Sequence, residues 1–102
     1  MLSIGEQIRR FRESQGLPLR SVASELDIDQ SVLSKIERGE RRASKKHIIQ
    51  IAKMFCADEK ELLINYLSDR VLYELKDESL AEEALKVAER KIKYMIKKQN
   101  EK

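Results

Sequence analysis

Four polar side chains recur at helical spacing between positions 30 and 35, and their shared chemistry is hydrogen bonding. They are Gln30, Ser31, Ser34 and Lys35. The first carries an amide that donates and accepts, the next two carry hydroxyls that do both, and the last carries an ammonium donor. None has a histidine or an acid at the spacing that an activated nucleophile requires. This set suits the recognition of a hydrogen-bonding surface, and no enzymatic activity is predicted.

Basic residues cluster immediately after this segment. The nine residues from position 38 to position 46 include five basic side chains, and Glu40 opposes them. These are Arg38, Arg41, Arg42, Lys45 and Lys46. Such a cluster is suited to contacts with phosphate groups. An ordinary solvated loop with the same composition is the alternative.

The net charge of +3 is distributed unevenly along the chain. Residues 1–57 carry 11 Lys and Arg against 7 Asp and Glu, whereas residues 58–89 carry 4 against 10. The last thirteen residues carry 6 basic side chains against Glu101. This segregation indicates an N-terminal part, residues 1–57, that faces a polyanion, followed by an acidic middle segment and a basic C-terminal tail. A solvated helix end, whose lysines complement the helix dipole, would also explain the tail.

Length and composition favour one compact all-α domain with an appendage. The chain has 102 residues, and only Pro18 and three glycines interrupt apolar spacing of helical type. No apolar run approaches the roughly 20 residues of a membrane span, and the N-terminus lacks a signal pattern. A soluble, cytoplasmic protein without a membrane partner is therefore expected.

Cysteine and histidine usage argues against a metal site or a cofactor. The single cysteine, Cys56, cannot form an internal disulfide, and with the single histidine, His47, it cannot complete a zinc site of ordinary ligand number. We expect Cys56 to be a small packed residue and His47 to be an exposed helix residue.

Six helices are predicted from apolar spacing and capping residues. The first is expected over about 3–15 and the second over about 19–26, and Gly39 ends the third. Possible N-caps are Ser3, Asp29, Ser44, Asp58 and Ser79. Three of them, Ser3, Asp58 and Ser79, have a glutamate three residues later, which is the capping-box pattern.

Helices 2 and 3 are separated by only three residues, and such a pair must pack closely. Ala23 provides the small side chain that a close crossing needs. The inner contacts are predicted to come from Val22, Leu26, Ile28, Leu33 and Ile36. This packing leaves the polar side chains of positions 30–35, together with Arg38, pointing outward.

The stretch Leu19–Gly39, LRSVASELDIDQSVLSKIERG, resembles the helix-turn-helix of the lambda repressor and Cro-like group, the XRE family. It aligns without gaps over 21 positions, with alanine at the fifth, apolar residues at the tenth, fifteenth and eighteenth, and a closing glycine. The resemblance implies a five-helix DNA-binding domain over residues 1–67. Apolar spacing and capping residues separately predict an extended C-terminal helical hairpin, with residues 68–102 as the C-terminal extension.

The resemblance assigns roles by position. Gln30 and Ser31 match positions that reach base edges of double-stranded DNA, and Ser34 and Lys35 match positions that face the groove one turn later. These side chains can bind base edges, because a glutamine amide pairs with adenine and a lysine reaches the acceptors of guanine. The basic residues of positions 38–46 match the part of the family that lies along the DNA phosphates. A merely solvated polar face remains the alternative.

The chain departs from the family pattern at three positions. Leu19 stands where the family usually has a phosphate-contacting glutamine, so Arg20 is expected to make that contact instead. Asp27 stands at a turn position that favours glycine, and it should adopt a positive φ at a cost on the order of 1 kcal/mol. Asp29 brings negative charge near the groove, which is acceptable if it caps the third helix.

DNA-binding proteins of this type form dimers. The resemblance therefore implies a homodimer that binds an inverted repeat, with recognition helices about 34 Å apart. In helix 6, Ala81, Leu85, Ala88, Ile92 and Met95 form a heptad seam. The predicted interface comprises Tyr66, Leu67, Val71, Leu85, Ile92 and Met95. Alternatively, helix 6 folds back and buries these residues within its own chain. A different function is also open, in which the acidic hairpin binds a protein partner, as in antitoxins of this family.

Overall fold

The computed structural model describes residues 1–101, and that part of the chain contains helices and no strand. The helices are α1 (Ile4–Ser14), α2 (Leu19–Glu25), α3 (Gln30–Glu37), α4 (Lys45–Met54), α5 (Glu59–Leu75) and α6 (Ala81–Asn100). The chain divides into two units, Met1–Arg70 and the residues from Val71 onward. The predicted all-α fold class is confirmed.

Three of the predicted caps form hydrogen bonds. The Ser3 hydroxyl accepts from the Glu6 N–H at 3.2 Å, and the Ser44 hydroxyl accepts from the His47 N–H at 3.1 Å. The Asp58 carboxylate accepts from the Glu61 N–H at 3.1 Å. Each bond satisfies a backbone donor that the first turn of a helix leaves without a partner.

Two of the predicted caps, Ser79 and Asp29, form no capping hydrogen bond through their side chains. Ser79 does not start α6, because a turn closed by the Ala81 N–H and the Glu78 carbonyl, at 3.3 Å, includes it, and Leu80 is the N-cap. Asp29 does occupy the N-cap position of α3, but its side chain makes no capping hydrogen bond. Only its backbone carbonyl contributes, accepting from the N–H of Leu33 at 3.1 Å.

The core of the first unit is built from α1 to α5. Its largest fully buried side chains are Ile8, Val22, Leu33, Ile48, Ile51 and Leu62. At its margin Phe11 of α1 stacks on Phe55, with ring centroids 5.5 Å apart. Tyr66, which was predicted at the dimer interface, is only 8% exposed and belongs to this core. It is therefore excluded from the surface that the protein can offer to a partner.

Most of the apolar side chains between positions 71 and 96 are exposed, and only Leu75 and Ala81 among them are half-buried. None of the residues of α6 is buried, although the helix contains twenty residues. The seam residues Leu85, Ile92 and Met95 are all exposed, as are Leu67 and Val71 of α5. No helix in residues 1–101 is long and apolar enough to cross a membrane.

Cys56 and His47 occupy environments that differ from those predicted. Cys56 is exposed and has a positive φ of 51°, because it follows the C-cap of α4 and lets the Ala57 N–H bond to the Ala52 carbonyl at 2.9 Å. His47 is half-buried, and its Nδ1 atom has no hydrogen-bond partner among the described residues. The thiol is thus outside the core and the imidazole is partly inside it.

Candidate nucleic-acid interface

The turn between α2 and α3 is set by backbone hydrogen bonds at the end of α2. The Ile28 N–H donates to the Ala23 carbonyl at 3.0 Å, and the Asp27 N–H donates to the Ser24 carbonyl at 3.1 Å. This is the Schellman pattern, which requires a left-handed residue after the C-cap. Asp27 is that residue, with φ 55°, as predicted from its place in the turn. The turn therefore brings α3 directly back across α2.

The faces of α2 and α3 that meet are apolar. The buried residues of α2 are Val22, Ala23 and its C-cap Leu26, and those of α3 on this face are Leu33 and Ile36. Ile28 is half-buried and packs against the same core. The predicted inner face is therefore present, with Ala23 as the small residue of the crossing. Because this side of α3 is fully used for packing, the opposite side is fixed toward solvent.

The predicted base-contacting residues lie on the outward side of α3. Gln30, Ser31 and Lys35 are exposed, whereas Ser34 is half-buried. The first two stand in the first turn of α3, and the other two stand one turn later. An eight-residue helix is about 12 Å long. All four side chains therefore belong to one short helix whose opposite side is buried in the core.

The predicted phosphate-contacting residues precede and follow α3 in the chain. Arg20 is exposed at the start of α2, and Arg41 and Arg42 are exposed in the segment that follows α3. Lys45 and Lys46 are exposed and form the first two residues of α4. The positive end of the α4 dipole therefore adds to the charge of these two lysines.

Arg38 has an acidic partner close by in the sequence, Glu40. One Nη atom lies 2.9 Å from an Oε atom of Glu40, and both side chains are about half exposed, at 55% and 56%. An exposed pair of this kind contributes little to stability and is easily exchanged for another partner. Binding a phosphate through Arg38 would require that exchange, whereas no such step is required of Lys45 or Lys46.

A buried ion pair at the end of α3 was not predicted. Arg12 Nε donates to Glu37 Oε2 at 2.8 Å, and Arg12 Nη2 donates to Glu37 Oε1 at 2.9 Å. The Arg12 side chain is 14% exposed and that of Glu37 is 5% exposed. The Glu37 bond, together with the Glu37 charge, raises the pKa of Arg12 although burial acts in the opposite direction. The Glu37 carboxylate is therefore buried against Arg12 and is not part of the exposed surface of α3.

Gly5 is a second residue whose role was not predicted. A Cβ atom at this position would lie 2.2 Å from the Ile36 carbonyl oxygen and 2.9 Å from that of Glu37. The start of α1 therefore rests directly on the last carbonyls of α3. The available signal was an isolated glycine inside the helical pattern of helix 1, where glycine is less favourable than alanine. Likewise, Arg12 follows Ile8 by four residues on the buried stripe of the same helix.

Two exposed carboxylates accompany the start of α3. Asp27 and Asp29 are both exposed, and the side chain of Asp29 is not used as a cap. Negative charge near Gln30 is therefore present without the local compensation that a cap would supply.

Comparison with known proteins places this architecture among helix-turn-helix proteins. The helix-turn-helix family model matches residues 8–55, a segment that includes the whole of α2 and α3. Two crystal structures of the clp gene regulator ClgR from Corynebacterium glutamicum are similar. One has 26% identity and a TM-score of 0.53, covering 65% of this chain and 86% of its own. The other has 24% identity and a TM-score of 0.54, covering 86% and 88%.

None of the curated proteins matches this sequence significantly. The family match includes the turn with Asp27 and the segment from Leu19 to Gly39 on which the resemblance rested. The matched region also contains the buried α2 and α3 faces that hold the polar side of α3 outward. Residues 8–55 therefore form a helix-turn-helix domain, which agrees with the resemblance of Leu19–Gly39 to the lambda repressor and Cro-like (XRE) family.

Proposed function

We propose that the protein is a sequence-specific regulator of transcription that binds double-stranded DNA as a homodimer, with α3 in the major groove. The single observation that carries this proposal is the outward face of α3. Gln30 and Ser31 stand exposed in the first turn of a helix whose opposite side is buried. The similarity to ClgR, which is described as a clp gene regulator, supports a regulatory role.

The α3 face offers the chemistry that base edges require. The Gln30 amide can donate to and accept from adenine at the same time, and the Ser31 hydroxyl can do either with any base. Lys35 can donate to the acceptors of guanine one turn later. Because the opposite side of α3 is packed, the backbone that carries these groups is already fixed before binding.

Phosphate contacts would fix the position of α3 in the groove. The exposed residues Arg20, Arg41, Arg42, Lys45 and Lys46 come from three places in the chain, before and after α3. Contacts of this type position a protein on the duplex and carry no sequence information. They also release counterions, so binding becomes weaker as the salt concentration rises.

Pairing would place two copies of α3 on one face of the duplex. Exposed apolar side chains are available on α5, at Leu67 and Val71, and on α6, at Leu85, Ile92 and Met95. Their exposure in a soluble chain supports a partner surface, since single chains rarely leave many large apolar residues in water. An inverted repeat with half-sites about 34 Å apart follows from two-fold symmetry.

A selection experiment tests the central claim. The protein would be mixed with random-sequence duplex at about 50 mM salt, and the retained DNA would be amplified and sequenced over several rounds. Enrichment of an inverted repeat, together with loss of binding at higher salt, is the expected result. Absence of any enriched sequence would contradict sequence-specific binding.

Gln30→Ala and Lys45→Ala should affect DNA binding in different ways. Loss of a bidentate base contact is expected to cost about 1–3 kcal/mol on the selected site and little on other sequences. Loss of the lysine should weaken all sequences alike and reduce the salt slope by about 0.9. Fluorescence anisotropy over a salt series measures both quantities. Lys53→Ala, at the far end of α4, is the matched control and should change neither.

Ile92→Asp is expected to convert a dimer into a monomer. It places a charge in the α6 seam, where Ile92 is 56% exposed in the single chain and would be covered by a partner. Light scattering during size-exclusion chromatography would show the mass fall from twice 11.9 kDa to 11.9 kDa. Val87→Asp is the control, since Val87 is also exposed but lies outside the seam. A wild-type monomer at micromolar concentration would contradict pairing.

A protein-interaction role is the second candidate. The observations that favour it are the exposed carboxylates of Asp27 and Asp29 and the pairing of Arg38 with Glu40, all of which reduce the positive charge around α3. In that case the exposed apolar residues of α5 and α6 would bind a different protein. The selection experiment separates the two functions, because only the first yields an enriched duplex.

A further inference from the structure

Two side chains of α5 are hydrogen-bonded to the start of α1. The Asn65 amide nitrogen donates to the Leu2 carbonyl at 3.2 Å and to Gln7 Oε1 at 2.8 Å. The Asp69 carboxylate accepts from the Ile4 N–H at 2.8 Å. These groups are part-buried and connect residues that are 58 to 65 positions apart in the chain. We call Asn65 and Asp69 the α5 clasp.

The α5 clasp satisfies groups that α1 cannot satisfy itself. Ile4 is the first residue of α1, so its N–H has no partner within the helix. The Asp69 carboxylate fills that role, and its negative charge lies at the positive end of the α1 dipole. Asn65 and Asp69 are four residues apart and therefore share one face of α5. The start of α1 is thus tied to a defined place along α5.

The same part of α1 is tied to α3. Gly5, next to Ile4, brings α1 against the carbonyl oxygens of Ile36 and Glu37, at a separation that admits no Cβ atom. Two turns later, Arg12 holds the Glu37 carboxylate through two hydrogen bonds. Because both contacts are to the last turn of α3, a shift of α1 along α5 would carry α3 with it.

Exposed apolar side chains lie on α5 beside the clasp. Ile64 and Leu67 are both exposed, and they alternate along the helix with Asn65 and Asp69. Helix α5 therefore contributes to the proposed pairing surface and also binds the start of α1. Helix α1 in turn contacts the last turn of α3. All the residues of this route lie within Met1–Arg70.

We propose that Asn65 and Asp69 are positioning residues that fix α3 relative to the apolar side chains that α5 exposes within Met1–Arg70, Ile64 and Leu67, and so determine which half-site spacing the dimer accepts. This inference rests on the proposed function. Adding one base pair between half-sites moves them apart by about 3.4 Å and rotates them by about 34°. A dimer whose two α3 helices are held in place cannot adapt to both the added distance and the added rotation. A dimer that lacks the hydrogen bonds of the α5 clasp can move its α3 helices and adapt to both.

The test compares duplexes that differ only in half-site spacing. The selected inverted repeat would be used at its own spacing and with one or two base pairs added or removed, alongside a duplex with a single half-site. The proteins are the wild type, Asp69→Ala, Asp69→Asn and Glu59→Ala. The last variant makes the same charge change at an exposed position of the same helix, outside the clasp.

The wild type is expected to lose about tenfold in affinity for each base pair of altered spacing, which corresponds to about 1.4 kcal/mol. For each base pair of altered spacing, Asp69→Ala should lose less than about threefold in affinity, equivalent to under about 0.7 kcal/mol. Its affinity for the single half-site should be unchanged. Asp69→Asn should behave like the wild type, because its amide oxygen can still accept from the Ile4 N–H. Glu59→Ala should also retain the wild-type profile.

Two results would overturn the proposal while leaving the proposed function intact. One is a wild-type spacing profile in Asp69→Ala, and the other is equal weakening on every duplex including the single half-site. If Asp69→Ala does not fold, Asn65→Ala provides the same test through the other half of the clasp. A wild type that binds none of the duplexes would instead overturn the proposed function, and the positioning role with it.

Discussion

Gly5→Ala is expected to lower the free energy of unfolding by about 3 kcal/mol, at the upper end of the usual cost of overpacking. The added Cβ atom would lie 2.2 Å from the Ile36 carbonyl oxygen, which is backbone and cannot move aside like a side chain. The separation between α1 and α3 must therefore increase. Thermal unfolding should show a midpoint lower by more than about 10 °C for a domain of this size.

Gly16→Ala is the matched control for this substitution. Gly16 has a positive φ of 65°, and nothing lies within 4 Å of a Cβ atom placed there. The control should lose only about 1 kcal/mol, from backbone strain alone. If Gly5→Ala were no more destabilising than this control, the close contact between α1 and α3 would be contradicted.

Glu37→Ala is expected to cost about 3 kcal/mol, because it leaves the Arg12 guanidinium partly buried without its partner. Arg12 is 14% exposed and would keep only its bond to the Leu17 carbonyl, at 2.9 Å. Because folding raises the pKa of Arg12, its positive charge contributes to the free energy of unfolding at every pH below the unfolded-state pKa. This contribution is lost only as the pH rises through the pKa that Arg12 has in the folded state. Denaturant unfolding near neutral pH therefore measures the fully charged state.

A double substitution separates the ion pair from the packing. Arg12→Met combined with Glu37→Leu removes both charges and keeps similar volumes, so it should recover most of the stability that Glu37→Ala loses. Glu13→Ala is the surface control, because its partner Arg9 is exposed and a small change is expected. Equal loss in the single and double variants would contradict an energetic role of the unpaired charge.

Patterns with a short range in sequence were the ones that predicted structure well. The spacing of Ile4, Ile8 and Phe11 defined the inner stripe of α1, and Asp27 adopted the left-handed conformation that its place in the turn required. Ser3, Ser44 and Asp58 capped their helices because each bond spans only three residues. Local geometry alone determines such features.

Contacts between distant parts of the chain were not predicted. Arg12 and Glu37 are 25 positions apart, and either residue alone resembles an ordinary surface charge. Tyr66 belongs to an apolar face of α5 that is shared between the core and solvent, and spacing does not tell which part of a wide face is covered. Ser79 matched a capping pattern, but a turn at Glu78 displaced the helix start. Tertiary structure decided the outcome for Arg12, Glu37 and Tyr66, whereas a competing local turn decided it for Ser79.

The exposed position of Cys56 affects how the protein must be handled. A thiol that faces solvent can be oxidised by air, and two chains can then be joined by a covalent bond between their sulfur atoms. A preparation without reductant would show a doubled mass for this reason alone, and Ile92→Asp would not abolish it. Mass measurements are therefore meaningful with a reducing agent present or with Cys56→Ser as the starting protein.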